Sequence, residues 1–419
     1  MFLGILMNFM PRKILVPIFN RAHLGRLRSV LKAVREHPEL KLQVITAGPA
    51  AFSGFRTNLR HSRPRSWRLA LPWYLRAKLL SFSPRKIKEN DVLTRSVLDA
   101  GFSVEACVPF FLDGGVAETM AKSVGLGIVA LVDELKRLKP DIVLVNADRF
   151  EMMAVAVAAS YLNIPVAHNE GGDISGTIDE HVRHAITKLS HIHFAATGES
   201  RKRIIQMGEN PDTVFTVGSP AIDVIKGLDT SFGGAGNIDV SKPYLLVLMH
   251  PVTTEKEENN ILAARNLVAA LEDLRIPTIF LGSNIDAGAS HFGRVIKEWR
   301  LNKKPAHVYF AKHLAPDDFY NALSGAACAV GNSSSFIREG AYFGTPAVIL
   351  GSRQQGRERG NNVLEIKAEA GEIKRAIEKQ LAHGRWARDI RFGDGTAGPK
   401  IADILATAEP KIQKSFYEV

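Results

Sequence analysis

Residues 168–194, "HNEGGDISGTIDEHVRHAITKLSHIHF", set five histidines and four acidic side chains directly after a short apolar run, Asn163-Ile-Pro-Val-Ala167. A chain that leaves a buried strand for so many ionisable groups is building a proton-transfer site, a metal site or a charged helix surface. Metal ligation calls for two histidines four residues apart beside a carboxylate, and these histidines are not so spaced, so no metal is expected. Neighbouring carboxylates cannot all ionise cheaply, and carboxylates whose pKa values are pushed apart suit general acid–base work. Glu170 stands before Gly171 and Gly172, residues that allow positive φ and close backbone approach to a ligand. Asp179 and Glu180 fall in the first turn of a helix that starts after "SGTI". A further acid, Asp148 of "NADRFE" (146–151), closes a run of Ile, Val and Leu. It is either the N-cap of the helix that follows or a catalytic acid, and one residue can serve as both.

A second set of polar groups lies in the other half of the chain. "MHPVTTE" puts His250 at the end of an apolar run, and "GNSSSFIRE" puts Ser333, Ser334 and Ser335 where a helix starts, with Glu339 one turn in. "GSRQQGRERGNNV" brings Arg353, Arg357 and Arg359 after the next apolar run. Hydroxyls and unpaired N–H groups at a helix N-terminus, with an arginine nearby, are what a pyrophosphate needs. A buried acid such as Glu339 can accept from ribose hydroxyls. The plainer alternative is a serine-rich cap followed by a solvated basic loop. Arg21, in "FNRAHLG" (19–25), is a weaker anion candidate of the same kind, between a strand and a helix start. Carboxylates in one half and an anion site in the other suit a nucleotide-sugar, its diphosphate on the second half and its sugar against the first.

The elements that must carry these groups follow one grammar. "KILVPIF" (13–19), "LQVITA" (42–47), "DIVLVNA" (141–147), "IPVAH" (164–168), "IHFAA" (192–196) and "TVFTVGS" (213–219) are short apolar runs, with helical stretches between several of them. The pattern restarts at "PYLLVLMH" (243–250) and continues through "IPTIFLG", "HVYFA", "AACAVG" and "TPAVILG" (345–351). Continuous apolar strands alternating with helices predict parallel sheets covered on both faces. The chain is therefore expected to be α/β, with two doubly wound Rossmann-like domains facing a cleft. Residues 1–228 would form the first domain and 243–419 the second. The Gly/Ser/Asp-rich segment 229–242 would link them.

At 419 residues the chain is too long for one ordinary core. Its two cysteines, Cys107 and Cys328, sit apart among apolar neighbours, as core residues in a reducing compartment do. The N-terminal "MFLGILMNFM" lacks a basic n-region and a cleavage site, and no run reaches the roughly 18 apolar residues of a membrane helix. A cytoplasmic protein is expected. The net charge is +11, and ten of those charges lie between Arg56 and Lys88 with no acid among them. A charge so confined argues against a nucleic-acid footprint. This basic, aromatic-bearing insertion (54–90) is read first as a solvated helical insertion, next as a flap over an anionic ligand, and last as a membrane-surface contact.

Several stretches resemble one family. "GGDISGTIDEHVRHAITKLSHIHF", "GSRQQGRER", "GNSSSFIREGAYFGTP", "DRFE", "HPVTTE" and "NIDAG" (284–288) look like the hydrolysing UDP-N-acetylglucosamine 2-epimerases of sialic-acid-type pathways, over about residues 13–365. The resemblance implies a glycosyltransferase-B architecture, no cofactor, a UDP-sugar substrate and a homodimer or homotetramer. It implies that Asp148, Glu170 and Asp179 are the catalytic carboxylates and that His250 lies near the phosphates. Ser333, Ser334 and Glu339 would hold the uridine ribose and diphosphate; Arg21, Arg149, Asn284 and Arg353 would make further contacts. The implied reaction expels UDP to leave a glycal, then adds water at C1 and a proton at C2 from the opposite face. Asp148 and Glu170 would carry the C2 proton transfers, with Asp179 tuning one of them, and His250 and Arg353 would stabilise the departing diphosphate. The chain departs from the family pattern at three places bordering the sugar: His23 stands where relatives carry an acid after Arg-Ala, Ala147 replaces a glycine, and "TAGPAAFSGF" replaces a histidine-containing segment. A UDP-2,4-diacetamido-2,4,6-trideoxy sugar is thus an alternative substrate. Further alternatives are a non-hydrolysing epimerase, a retaining glycosyltransferase, and a nucleotide-sugar-binding protein without turnover.

Overall fold

The structure, a computed structural model, describes residues 10–49, 92–112, 117–228, 234, 236, 238–252, 254–282, 289–312 and 314–419. The insertion 54–90 and Asn284 lie outside the described residues.

The first sheet is formed by β1 (Arg12–Ile18), β2 (Leu40–Pro49), β3 (Ala106–Phe111), β4 (Ile142–Asn146), β5 (Val166–Asn169), β6 (Ile192–Ala195) and β7 (Val214–Thr216). All are parallel, in the order β3-β2-β1-β4-β5-β6-β7. Its helices are α1 (Arg21–Glu36), α2 (Val92–Asp99), α3 (Ala117–Leu138), α4 (Phe150–Tyr161), α5 (Asp179–Leu189) and α6 (Gly198–Gln206). A short helix, α7 (Pro220–Lys226), leads to the second sheet. There β8 (Leu245–Leu248), β9 (Thr278–Leu281), β10 (Val308–Ala311), β11 (Cys328–Gly331), β12 (Ala347–Leu350) and β13 (Val363–Ile366) lie parallel in the order β10-β9-β8-β11-β12-β13. They alternate with α8 (Glu257–Leu274), α9 (Ala289–Lys303), α10 (Pro316–Gly325), α11 (Ser334–Phe343) and α12 (Ala370–His383), and α13 (Ala397–Thr407) follows.

The apolar runs become strands because both their faces are covered: every residue of β4 and of β12 is buried. In α1, Leu24, Leu27, Val30, Leu31 and Val34 recur at helical spacing and pack on β1. Each sheet reverses its strand order once, between β1 and β4 and between β8 and β11. Ligands of such sheets bind outside the carboxyl ends of the strands at that switch point. Asn20, Asp148 and Glu170 follow β1, β4 and β5, and His250, Ser333 and Arg353 follow β8, β11 and β12. The two doubly wound domains read from the sequence are present. No described helix is long and apolar enough to cross a membrane.

The domain bounds need a correction at both ends of the second lobe. The apolar face of α13 (Ile401, Ala402 and Leu405) packs into the first core with Ile14, Val16, Leu27 and Leu31. Arg12 fixes the end of that helix by donating to the carbonyls of Leu405 and Ala408, at 2.8 and 2.6 Å. The tail continues along the first lobe, where the Tyr417 amide reaches the Gly208 carbonyl at 2.9 Å. Conversely, Ile222, Val224 and Ile225 of α7 belong to the second core. The chain thus crosses between the lobes twice, and residues 397–419 return to the first. Periodicity marks an apolar face but does not say which core receives it. Likewise β13, half-buried along its whole length, offers no strong apolar run to read.

If α13 is part of the first core, Leu405→Ala should destabilise the protein by about 2–4 kcal/mol, seen as a lower midpoint in denaturant unfolding. An unchanged midpoint would place the helix outside that core.

Candidate active site

The chain leaves β5 through Glu170, whose amide still bonds to the Phe194 carbonyl at 2.9 Å. Glu170 then adopts a left-handed conformation, φ +61°, and Gly172 does so at +74°. A Cβ on Gly172 would lie 2.2 Å from the Ser200 carbonyl oxygen, so this turn requires glycine there. The Glu170 side chain is 3% exposed. Its Oε1 accepts from the Ser219 hydroxyl at 2.6 Å and from Arg338 of α11 at 3.0 Å. Arg338 belongs to the other lobe, so this ion pair spans the cleft. Burial by itself would raise the Glu170 pKa; Arg338, Arg26 and the Ser219 hydroxyl outweigh it and hold the pKa at about 2. The raised pKa expected of a clustered carboxylate is therefore not found at Glu170, because a guanidinium, not a second acid, is its nearest charge.

Asp148 follows Ala147, which is itself left-handed at φ +59°. That conformation is pinned: the Ala147 amide bonds to the Asn169 carbonyl at 2.8 Å, and its carbonyl accepts from His168 Nε2 at 2.8 Å. Burial lowers the His168 pKa to about 3, partly opposed by that bond, so this histidine is a neutral strut. Asp148 does not cap α4; Arg149 occupies the N-cap position without a capping hydrogen bond. Asp148 instead pairs with Arg183 of α5, a guanidinium that is 2% exposed and also donates to the Asp173 carbonyl at 2.8 Å. Asp179 is half-buried and opens α5. The four-residue spacing places it on the same helix face as Arg183.

In the second lobe β11 ends at Gly331, where a Cβ would lie 2.0 Å from the Leu248 carbonyl oxygen. The fully buried Asn332 then ties three strand ends together. Its side chain accepts from the His250 amide and donates to the His250 carbonyl, both at 2.8 Å. Its carbonyl accepts from Arg353 at 3.0 Å and Gln354 at 2.9 Å. Ser333 caps α11, accepting from the Ser335 amide at 3.3 Å, and Ser334 Oγ accepts from Arg26 of α1 at 3.3 Å. Glu339 is fully buried, and neither carboxylate oxygen has a hydrogen-bond partner among the described residues. The Arg338 guanidinium stands 3.9 Å from it. An acceptor-only group so placed is suited to hydroxyls brought by a ligand.

Further contacts join the lobes. Arg357, 6% exposed, pairs with Asp173 at 2.6 Å, the Gly176 amide bonds to the Arg353 carbonyl at 3.0 Å, and Thr197 donates to Glu358 at 2.7 Å. A Cβ on Gly176 would lie 2.0 Å from the Ser352 carbonyl oxygen, so the lobes meet backbone to backbone there. The loop at 351–360 is therefore not simply a solvated basic segment. Of the residues singled out in the sequence, Glu170 and Glu339 are bridged by Arg338, Asp148 pairs with Arg183 of the helix that Asp179 opens, and His250, Ser333 and Arg353 meet at Asn332. Arg149 donates to Glu151 at 3.0 Å, while Arg21 is exposed in the first turn of α1. The sequence reading passed over Arg26, Asp173, Arg183 and Arg338. The signal for Arg338 was available: it lies with Glu339 in a helix buried from Ser335 to Tyr342, where adjacent charges need partners from elsewhere.

Comparison with known proteins agrees with this geometry. The family described as UDP-N-acetylglucosamine 2-epimerase matches residues 90–406. A Legionella pneumophila protein named UDP-N,N'-diacetylbacillosamine 2-epimerase (hydrolyzing) is 33% identical over 402 residues, covering 95% of this chain and 96% of that protein. A Neisseria meningitidis protein named UDP-N-acetylglucosamine 2-epimerase is 27% identical over 417 residues, covering 97% of this chain and 99% of that protein. The crystal structure of UDP-GlcNAc 2-epimerase from Neisseria meningitidis bound to UDP-GlcNAc has the same fold, with a TM-score of 0.71 at 16% identity over 94% of this chain and 100% of that one.

Replacing Arg338 by Met should leave Glu170 buried and unpaired and cost about 3–5 kcal/mol near neutral pH. Glu170 has its pKa depressed from 4.5 to about 2, so its contribution is full above about pH 4.5 and is lost as the pH falls towards about 2. In the variant a protonated Glu170 needs no partner. The stability gap between the two proteins, measured by denaturant titration at several pH values, should therefore narrow below pH 4.5; a gap independent of pH would remove Glu170 as the partner.

Proposed function

This chain belongs to the UDP-N-acetylglucosamine 2-epimerase family, and on that premise we propose that it is a hydrolysing UDP-sugar 2-epimerase that releases UDP and the 2-epimer of an acetamido sugar. The observation that carries the reading is the contact of Glu170 with Arg338 at 3.0 Å, which joins the acidic end of the first lobe to the capped N-terminal half of α11 in the second. The hydrolysing outcome is supported by the name of the 33% identical Legionella relative. That relative also supports a UDP-2,4-diacetamido-2,4,6-trideoxy sugar as the preferred substrate; UDP-N-acetylglucosamine is the second candidate, supported by the Neisseria relative.

In this proposal the diphosphate takes the α11 N-terminus, with Ser333, Ser334, His250 and Arg353 around it, and the ribose hydroxyls donate to Glu339. A diphosphate competes strongly for guanidinium groups. As it draws Arg338 towards itself, Glu170 loses the charge that depresses its pKa and becomes a usable base. UDP leaves C1 with the bonding electron pair, a carboxylate takes the C2 proton, and a C1–C2 double bond forms. Water then adds its oxygen to C1, and C2 receives a proton on the opposite face. Two faces require two proton-transfer groups, and Asp148 and Glu170 are assigned to them. Asp179 and Arg183 set the protonation and position of Asp148.

Asp148→Asn and Glu170→Gln should each lower kcat by roughly 10²–10⁴-fold. Turnover in heavy water should give free UDP and a product deuterated at C2. Near-normal turnover by either variant, or free UDP with C2 unlabelled, would reject the assignment. An epimer still attached to UDP would make the enzyme non-hydrolysing.

A further inference from the structure

A second polar cluster lies beside the carboxylates, where β1 and β4 hand over to α1 and α4. Asn20 caps α1, its Oδ1 accepting from the His23 amide at 2.8 Å. Its Nδ2 donates to Glu151 Oε1 at 3.0 Å and contacts His23 Nε2 at 3.1 Å. The two bonds made by Oδ1 and Nδ2 leave one orientation for the amide. Nδ2 must donate to both neighbours, so His23 Nε2 is an acceptor and the ring proton sits on Nδ1. Burial, then the nearby Arg149 and Arg26, lower the His23 pKa to about 3, so the ring is neutral. Arg26, one turn further along α1, donates to Ser334 of the second lobe at 3.3 Å, which places the cluster next to the cleft.

His23 is 3% exposed and Glu151 is 1% exposed. His23 Nδ1 and Glu151 Oε2 are both buried without a hydrogen-bond partner among the described residues. One is a donor and the other an acceptor, and the Asn20 amide holds the other nitrogen of the ring and the other oxygen of the carboxylate. Leaving such a pair unsatisfied is costly unless a ligand completes it. A hydroxyl donates and accepts through its one oxygen, whereas a secondary amide accepts at its C=O and donates at its N–H, two separate atoms. A neutral donor and a carboxylate acceptor carried on different residues match the amide. We propose that His23 and Glu151 form the subsite that reads an acetamido group of the sugar, with Asn20 as the positioning residue. His23 stands where the resembling family usually carries an acid. The inference rests on the proposed UDP-sugar substrate and adds to it which residues read the acetamido group.

The test is calorimetric binding of UDP, UDP-glucose and UDP-N-acetylglucosamine to the full chain and its variants. The wild type should bind the acetamido sugar more tightly than UDP-glucose. His23→Ala and Glu151→Gln should each weaken the acetamido sugar by roughly 10- to 100-fold, with UDP affinity held within about twofold. His23→Asn, which keeps a donor near the Nδ1 position, should recover most of that loss. Equal weakening of all three ligands, an unchanged preference in His23→Ala, or no preference in the wild type would overturn the proposal. If the wild type shows the preference yet releases no UDP from either acetamido sugar, the subsite stands and the epimerase reading fails.

Discussion

The ion pair between Glu170 and Arg338 is the constraint around which the molecule is organised. It is nine-tenths buried on both sides, and its partners come from different lobes. Removing two charges from water is expensive, and their attraction offsets that cost only when the geometry is good and the remaining valences are filled. Ser219 fills one of them. Others stay open on Glu170 Oε2, Arg338 Nε and both oxygens of Glu339. The lobes therefore meet on a polar seam whose bonding is incomplete without a ligand, in contrast to the two apolar cores behind it. Such a seam stabilises closure less than a hydrophobic interface of the same area, and it favours an occupant that brings both hydroxyls and negative charge.

The backbone is shaped to serve that seam. Left-handed Ala147 and Glu170, together with Gly172 and Gly331, turn the chain sharply at the ends of β4, β5 and β11. These are the strand ends nearest the two switch points. Conformations of this kind persist only where surrounding bonds over-determine them. His168 and Asn169 supply those bonds for Ala147, and Asn332 does so for the His250 and Arg353 loops. The same device recurs at Asn20, whose single amide arranges His23 and Glu151. Buried side-chain amides thus fix the loops that the strands only deliver.

Closure also explains the course of the chain. Helix α7 is built into the second core and α13 returns to the first, so two crossings connect the lobes at their edge. Beside those crossings, Gly218 and Gly393 approach so closely that a Cβ on Gly218 would lie 2.9 Å from the Gly393 Cα. Asp148, Glu170 and the α11 N-terminus follow strand ends on either side of these crossings.

The sequence by itself determined the α/β class, the restart of the pattern at residue 243 and the strand ends that carry Asp148, Glu170, His250 and Ser333. It could do so because buried parallel strands are uniformly apolar, so polar groups stand out where the strands stop. Several of its motifs also resemble the family to which the chain belongs. The tertiary structure decided which charges meet. Arg183 and Arg338 read as ordinary residues of helical stretches, and only the packing of α5 and α11 brings them to Asp148 and Glu170. Which lobe owns residues 397–419, and that His23 is neutral with its proton on Nδ1, were decided in the same way. Pairing, burial and protonation depend on distances between segments far apart in the chain, and a local pattern of residue types carries no information about those distances.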